Sequence, residues 1–182
     1  MKVIGVVGFP ASGKGEFAEI AAAQGIPVIV MGDVIRRAVE KAGMTPTDEH
    51  MGAMASTLRR EHGLDAIARL CIPKISEQSA PIVLVDGIRG DAEVRVFRAS
   101  FSGFILVAIN APFETRLARL RSRGRPDDTV TAVSLRNRDE RERGWGLGAA
   151  LNEADVQLTN KGDLAAFKKS VKELLERIGG GA

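Results

Sequence analysis

A glycine-rich loop follows the first apolar run of the chain and constrains the fold more than any other feature. The run Val3–Val7 leads into eight residues, Gly8, Phe9, Pro10, Ala11, Ser12, Gly13, Lys14 and Gly15. Glycines let the backbone turn its N–H groups inward around phosphates, and the lysine reaches the β and γ oxygens. A helix that starts at the loop directs its positive N-terminus at the same anion. The order of strand, loop and helix therefore predicts a P-loop that binds ATP.

One position departs from the usual P-loop pattern. The serine or threonine that normally follows the lysine and binds Mg²⁺ is Gly15 here, and Glu16 comes next. We expect Gly8–Gly15 and Glu16 to bind the cofactor ATP. The route by which Mg²⁺ is held must differ from the usual one.

The composition is that of an ordinary globular protein. The 182 residues suit one domain with a real core. A net charge of +3 is too small to predict nucleic-acid binding, and with 4% aromatic residues there are few platforms for base stacking. Cys71 is the only cysteine, which excludes a disulfide framework. No apolar run approaches the roughly 20 residues of a membrane span, so we expect a cytoplasmic protein.

Short apolar runs alternate with amphipathic stretches. After Val3–Val7 the runs are Pro27–Met31, Ile82–Val85, Phe104–Ile109 and Val156–Leu158. Each is continuous and rich in β-branched residues, which is typical of parallel strands buried on both faces. Helical patterns cover residues 13–24, 34–42, 47–60, 64–76, 91–99, 112–123, 129–143 and 164–178, with Asp33, Thr47 and Asp163 as N-cap candidates. We predict an α/β fold with a five-stranded parallel sheet, helices on both faces, and ligands at the carboxyl ends of the strands.

The predicted organisation is a single domain over residues 1–178, followed by a flexible tail at 179–182. Residues 42–80 contain two helical patterns and no strand. A helical insert at this point could bind an acceptor substrate, although plain packing on the sheet is the alternative. Residues 119–143 form an arginine-rich region.

Acidic and basic residues follow the second and third apolar runs. Asp86 comes directly after Ile82–Val85, where a P-loop protein holds Mg²⁺ directly or through water; the alternative is a turn aspartate. Arg89 follows, and its planar guanidinium suits phosphate. Asp33 either caps a helix or contacts the acceptor, as a base if the acceptor is a hydroxyl. Arg36 would then hold the phosphate of the acceptor.

Nine arginines lie between residues 116 and 143. Arg119 and Arg123 are four residues apart and share one helix face. Cations placed in advance near a transferring phosphoryl group lower its barrier. For Arg121, Arg138, Arg141 and Arg143 we favour a solvated charged surface. Trp145 stands among glycines, which could form a mobile flap over the nucleotide; we favour the alternative, that it anchors the end of this helix by burying its ring.

These motifs resemble the adenylate kinase superfamily over nearly the whole chain. Gly8–Gly15 is similar to its phosphate loop, and Gly32–Arg36 to its acceptor segment, with Asp33 and Arg36 on the substrate. Asp86–Arg89 resembles an Asp-Gly-Phe-Pro-Arg segment that is one residue longer, which implies Mg²⁺ at Asp86 and acceptor phosphate at Arg89.

The arginine-rich region extends this resemblance. Arg119 and Arg123 match the pair before the lid. Arg125 to Asp128, followed by Arg136, resembles the stretch that supplies arginines to the transition state. The resemblance therefore implies that Lys14, Arg119, Arg123, Arg125 and Arg136 are catalytic. Because only Gly124 separates Arg123 from Arg125, the long lid is missing.

The chain also resembles the dephospho-coenzyme A kinases and a family of small, mainly archaeal, adenylate-kinase-related proteins. The segment from Ala154 to Asn160 is similar to the C-terminal strand of the former, which implies that Asn160 lies near the adenine of ATP. The expected function is transfer of a phosphoryl group from Mg-ATP to a small nucleotide, most simply a nucleoside monophosphate. Dephospho-coenzyme A, with Asp33 as base, is one alternative. A P-loop ATPase or binding protein without a small acceptor is the other.

Overall fold

Five parallel strands form the centre of the molecule. The structure is a computed structural model that describes residues 1–123 and 131–180, without the side chain of Arg123. The strands are β1 (Lys2–Val7), β2 (Val28–Val30), β3 (Ile82–Ile88), β4 (Phe104–Asn110) and β5 (Val156–Thr159). They pair in the order β2-β3-β1-β4-β5, and every pairing is parallel. The predicted five-stranded parallel sheet is therefore confirmed.

Helices cover both faces of this sheet. In the described residues they are α1 (Lys14–Ala23), α2 (Met31–Lys41), α3 (Asp48–His62), α4 (Ala66–Ser76), α5 (Asp91–Ser100), α6 (Phe113–Arg123), α7 (Ala132–Gly144), α8 (Leu147–Asn152) and α9 (Leu164–Gly179). The helix α8 was not predicted, because it is short and stands among glycines. Its N-cap is Gly146, whose φ of 94° lies in the left-handed region.

The two faces of the sheet bury two separate hydrophobic clusters. Side chains alternate along β1, so that Val3 and Val7 pack on one side with α4, α5 and α8. Ile4 and Val6 pack on the other side, where Phe17 of α1 and Phe167 of α9 cover the sheet. Burial on both sides explains why the strand sequences are continuous apolar runs rather than alternating ones.

The helix α2 begins earlier than the sequence pattern predicts. It starts at Met31, directly after β2, and its N-cap is Val30. Asp33 therefore lies inside the first turn, and the prediction that it is the N-cap is wrong. No loop separates β2 from α2, so the N-cap position falls on the last residue of β2 rather than on Asp33. Thr47 and Asp163, by contrast, cap α3 and α9 as predicted, through bonds from the amides of His50 and of Ala165 and Ala166.

The insert between α2 and β3 consists of α3 and α4. Both pack on α2, and α4 also packs on α5, so the insert lies on one side of the sheet near the carboxyl ends of the strands. Cys71 of α4 is fully buried, as expected for a core residue. Within the part of the chain that the structure describes, no helix is long and apolar enough to cross a membrane.

Candidate active site

The loop between β1 and α1 is tightly folded and depends on its glycines. Gly13 has a φ of 118°, and a Cβ there would lie 2.4 Å from Nδ2 of Asn160. A Cβ on Gly8 would lie 2.4 Å from Oγ of Ser12 and 2.8 Å from the carbonyl oxygen of Ile109. The loop therefore admits no side chain at either position. Such a compact backbone at the start of a helix is suited to binding phosphate.

Lys14 is buried beneath this loop. Its Nζ donates to the carbonyl oxygens of Gly8 at 2.6 Å and Phe9 at 3.0 Å. Burial, and then the positive charge of Arg89, lower the pKa of Lys14 to about 7, although Asp86 and Glu142 oppose the shift. An ammonium in this environment gains strongly from a bound anion.

Asp86 lies beside Lys14 at the end of β3. The register between β1 and β3 shifts here, because Val6 pairs with Asp86 and Val7 with Ile88. Gly87 has no pairing partner on β1 because of this shift, and its φ is 101°. Asp86 thus lies near the carboxyl edge of the sheet, although β3 continues two residues beyond it, to Ile88, rather than ending at Val85.

The carboxylate of Asp86 fits a magnesium ligand. Its Oδ1 is buried and has no hydrogen-bond partner among the described residues. Burial raises the pKa of Asp86, and the charges of Lys14 and Arg89 oppose this shift. A cation would both satisfy this oxygen and favour its ionised form. Mg²⁺ commonly takes one or two carboxylates together with phosphate oxygens and water, so one carboxylate beside the phosphate loop is a suitable protein ligand.

Arg119 and Asn160 hold the phosphate loop from outside. Arg119 donates through Nη1 to the carbonyls of Ala11 at 3.2 Å and Ser12 at 3.3 Å, and through Nη2 to Oδ1 of Asn160 at 2.7 Å. Nδ2 of Asn160 donates to the carbonyl of Ser12 at 2.9 Å. Asn160 is 2% exposed. Its side chain therefore holds the loop in place. The resemblance in sequence, which implies that Asn160 lies near the adenine of ATP, does not predict this role.

Arg116 is a site residue that the sequence analysis did not single out. It is 4% exposed, pairs with Asp139 of α7 at 2.6 Å, and donates to the carbonyl of Pro10 at 3.2 Å. Its guanidinium also lies 5.1 Å from the ring centre of Phe9. Arg116 thereby joins the loop to both α6 and α7.

An ion network continues from the loop into α7. Arg89 pairs with Glu142 at 2.5 Å, and Arg138 pairs with the same carboxylate at 3.3 Å. Burial raises the pKa of Glu142, but Arg89, Arg138 and Lys14 outweigh it and keep the pKa below its usual range. Glu142 is therefore a fixed negative charge that positions two arginines.

A second buried carboxylate, Glu93, supports this network from α5. It accepts from the backbone amide of Arg89 at 2.7 Å and from Arg59 at 2.7 Å. Burial raises the pKa of Glu93, against the charge of Arg59 and the amide bond. The strand end that carries Asp86 and Arg89 is thus fixed to the insert helix α3.

Some of these groups surround one cavity of about 140 Å³. Lys14, Asp86 and Arg89 line it from the sheet edge, and Arg138 and Arg141 line it from α7. The insert closes the cavity through Asp48, Met51, Gly52, Ala55 and Arg59. The expectation that Arg138 and Arg141 form a solvated surface is therefore wrong. Their spacing with Trp145, at 138, 141 and 145, marks one helix face, and that periodicity could have revealed them.

Trp145 is anchored at this cavity. Arg59 lies 4.3 Å from its ring centre and Arg141 lies 5.8 Å from it. Its carbonyl oxygen packs so closely on Gly90 that a Cβ there would lie 2.1 Å from it. The half-buried ring thus joins the insert to the end of α7.

Other predicted residues lie apart from the cavity lining. Asp33 is exposed on α2, and Arg36 is half-buried on the same helix. Arg136 is exposed and lies 5.3 Å from the ring centre of Phe113. Glu16 pairs with Lys168 of α9 at 2.8 Å. Arg125 and the side chain of Arg123 lie outside the described residues.

Comparison with known proteins places the chain among P-loop proteins. A family model described as an AAA domain matches residues 7–134. A UPF0200 protein of Methanoregula boonei is 61% identical over 178 residues, which are 98% of each chain. A UPF0200 protein of Methanoculleus marisnigri is 56% identical over 180 residues, covering 99% of this chain and 98% of the relative.

Two solved structures share the architecture. TT1252 from Thermus thermophilus superposes with a TM-score of 0.64 at 19% identity, over 97% of both chains. Shikimate kinase from Bacteroides thetaiotaomicron superposes with a TM-score of 0.62 at 15% identity, over 98% of both chains. The fold is thus that of a P-loop kinase, with phosphate loop, insert and arginine-rich helix around one cavity.

Proposed function

Because this chain belongs to the UPF0200 family and carries an AAA domain, we propose that it is an ATP-dependent phosphotransferase acting on a small nucleotide. The acceptor that we favour is a nucleoside monophosphate. Dephospho-coenzyme A remains the alternative, and an ATPase without a small acceptor the second one.

One observation carries this proposal. Lys14 and Asp86, the groups expected to meet the γ-phosphate and its metal, open into the same cavity as four arginines, one of which, Arg59, belongs to the insert. An ATPase that uses water can use an arginine at the γ-phosphate, but it needs no compartment for a second anionic substrate beside the phosphate loop. A kinase needs one, because it must hold two anionic substrates together.

The residues present fit ATP and Mg²⁺. The loop amides and Lys14 would hold the β and γ phosphates, and Asp86 would hold the metal, directly or through water. Bound Mg²⁺ neutralises phosphate charge during transfer. Lys14, whose Nζ donates to the carbonyls of Gly8 and Phe9, would then donate to phosphate oxygens instead.

The arginines would act on charge that develops during transfer. Arg89 lies between the loop carbonyl of Gly8, at 3.4 Å, and Glu142. From there its guanidinium can bridge the two substrates. Arg119 and Arg116 position the loop rather than contact the acceptor. Because a phosphate acceptor is already an anion at neutral pH, the reaction needs no general base, which agrees with an exposed Asp33 outside the cavity lining.

The test is a coupled assay of ADP release with Mg-ATP. AMP, CMP, UMP, dTMP and dephospho-coenzyme A are added in turn, and product is identified by chromatography. Acceleration by one monophosphate, with the matching diphosphate formed, supports the proposal. Acceleration by dephospho-coenzyme A alone moves the function to a hydroxyl kinase. Slow ADP release that no acceptor changes contradicts a kinase of these acceptors.

A further inference from the structure

Asp48 forms ion pairs with the two arginines that face the cavity from α7, Arg138 and Arg141. It is the first residue of α3, and its Oδ1 lies 3.1 Å from Nη1 of Arg138 and 3.2 Å from Nη2 of Arg141. Its Oδ2 lies 3.3 Å from the same Nη2 of Arg141. All three residues line the cavity with Lys14 and Asp86. One carboxylate of the insert therefore lies between two guanidinium groups at the position where an acceptor would enter.

This arrangement leaves part of the arginine pair unsatisfied. Nε of Arg141 is buried and has no acceptor among the described residues. Arg138 also pairs with Glu142, and the carboxylate of Asp48 adds one negative charge and two oxygens to the two guanidinium groups. A phosphomonoester contributes up to two charges and three oxygens, so it can satisfy donors that a carboxylate leaves unmet.

Asp48 can leave this position without loss of its helix. The N-cap of α3 is Thr47, whose hydroxyl accepts from the amide of His50, and this bond does not involve Asp48. The side chain of Asp48 is 23% exposed, so solvent lies next to it. An acidic residue in the first turn keeps its favourable interaction with the helix dipole after it turns toward water.

We propose that Asp48 takes the place of the acceptor's phosphate in the empty protein, and that a phosphomonoester must displace it from Arg138 and Arg141 in order to bind. Asp48 is then a specificity residue, because a dianion displaces it more readily than a neutral or singly charged molecule does. This inference rests on the proposed function, because that function identifies the phosphomonoester as the acceptor. It deepens that function by restricting acceptors to those that carry a phosphomonoester.

The test is calorimetric titration of the full-length protein with inorganic phosphate at pH 8. Asp48→Asn removes the competing charge, and we expect one phosphate site to tighten about five- to tenfold. Arg141→Gln should weaken the same site about tenfold or more. Glu140→Gln is the matched control, since it removes one negative charge from an exposed position on α7, and it should leave the site unchanged.

Three results would overturn the inference: no phosphate site that responds to Asp48→Asn, an equal response to Glu140→Gln, or no phosphate binding at all. If Asp48→Asn fails to fold by circular dichroism, Asp48→Ser replaces it, because it removes the same charge and leaves the Thr47 cap of α3 in place. The titration needs no turnover, so it can succeed where the acceptor assay fails. A kinase active on a monophosphate whose Asp48→Asn variant binds phosphate no more tightly would refute this inference alone.

Discussion

The most unusual single residue of the site is Lys14. Burial and Arg89 bring its pKa to about 7, so that near neutral pH the empty protein holds a mixture of charged and neutral lysine. A bound triphosphate favours the charged form and raises this pKa. Nucleotide binding and proton binding are therefore linked at one side chain.

We predict that ATP binding takes up a proton in alkaline solution. Above pH 7 the empty lysine is mainly neutral and must be protonated on binding, whereas below pH 7 it already carries its proton. Affinity should fall by up to about tenfold per pH unit above 7, until the pKa of the bound state is reached. Calorimetry in buffers of different ionisation enthalpy measures the uptake directly.

The control for this linkage is Lys14→Met. It should bind ATP more weakly, and its binding should show no proton uptake between pH 7 and 9. Uptake of the same size in this variant would assign the linked proton to another group.

Asp86 gives a second prediction at this scale. Asp86→Asn keeps the shape of the side chain but removes its charge, so we expect the concentration of Mg²⁺ required for half-maximal ADP release to rise about tenfold or more. Titration of activity with Mg²⁺ at fixed ATP measures this change. Glu40→Gln is the control, since it removes one negative charge from an exposed position on α2, and an equal effect there would remove the assignment of the metal to Asp86.

The sequence predicts the residues whose role is local and misses those whose role depends on distant partners. Gly8, Gly13 and Lys14 act within one short loop, so their pattern is legible from the chain alone. Arg116 and Arg141 act through Pro10 and Asp48, which are far away in the sequence. The spacing of Arg141 with Arg138 and Trp145 is a local signal for it, but nothing in the immediate neighbours of Arg116 distinguishes it from an arginine on a solvated helix.

At the scale of elements, α6, β5 and the phosphate loop form one mechanical unit. Arg119 reaches from α6 to the loop, and Asn160 reaches to it from the end of β5. The backbone amide of Asn160 also donates to Asn110 at the end of β4, at 2.7 Å. The loop follows β1 directly, and Asn160 connects it to the ends of β5 and β4. The position of the loop therefore depends on three strands.

We predict that Asn160→Ala loosens this unit. It removes the bond to Ser12 and the partner of Arg119, and it leaves buried polar groups unsatisfied, which costs about 1–3 kcal/mol of the free energy of unfolding. The KM for ATP should rise several-fold while α6 and β5 remain folded. Thermal unfolding and steady-state kinetics measure the two effects.

Asn160→Asp separates the two bonds. It keeps an oxygen for Arg119 but loses the donor to Ser12, so its KM for ATP should lie between those of the native protein and Asn160→Ala. A KM in Asn160→Ala equal to the native value would show that Arg119 alone suffices to hold the loop.

Elements are predicted well wherever the pattern extends over several turns. The strands and the long helices repeat their apolar positions often enough to be recognised. The start of α2 differs because β2 runs directly into it at Met31, and α8 is too short to establish a period. The elements that the sequence misses are those with the fewest repeats.

At the scale of the whole molecule, the parallel sheet brings the ends of β1, β2 and β3 to one edge. Both hydrophobic clusters lie below that edge, and the loop, Asp86 and the insert lie around it. A ligand that bridges loop and insert therefore adds contacts between parts that the core joins only indirectly.

We predict that ATP raises the melting temperature. At a concentration one hundred times Kd it should add about 2.7 kcal/mol to the free energy of unfolding. For a chain of this length that amount corresponds to roughly 5–10 °C. Differential scanning calorimetry measures the shift, and Gly13→Ala, which places a side chain in a left-handed loop position, should show none.

The ring of Trp145 has a consequence for experiment. It is the only tryptophan of the chain, and its indole contacts one arginine from the insert and one from α7. Movement of either helix would change the charge beside the excited indole, so the intrinsic fluorescence of the unlabelled protein would report such a movement. The molecule thus contains its own optical probe, and stopped-flow mixing with each substrate can follow the environment of this indole before any product forms.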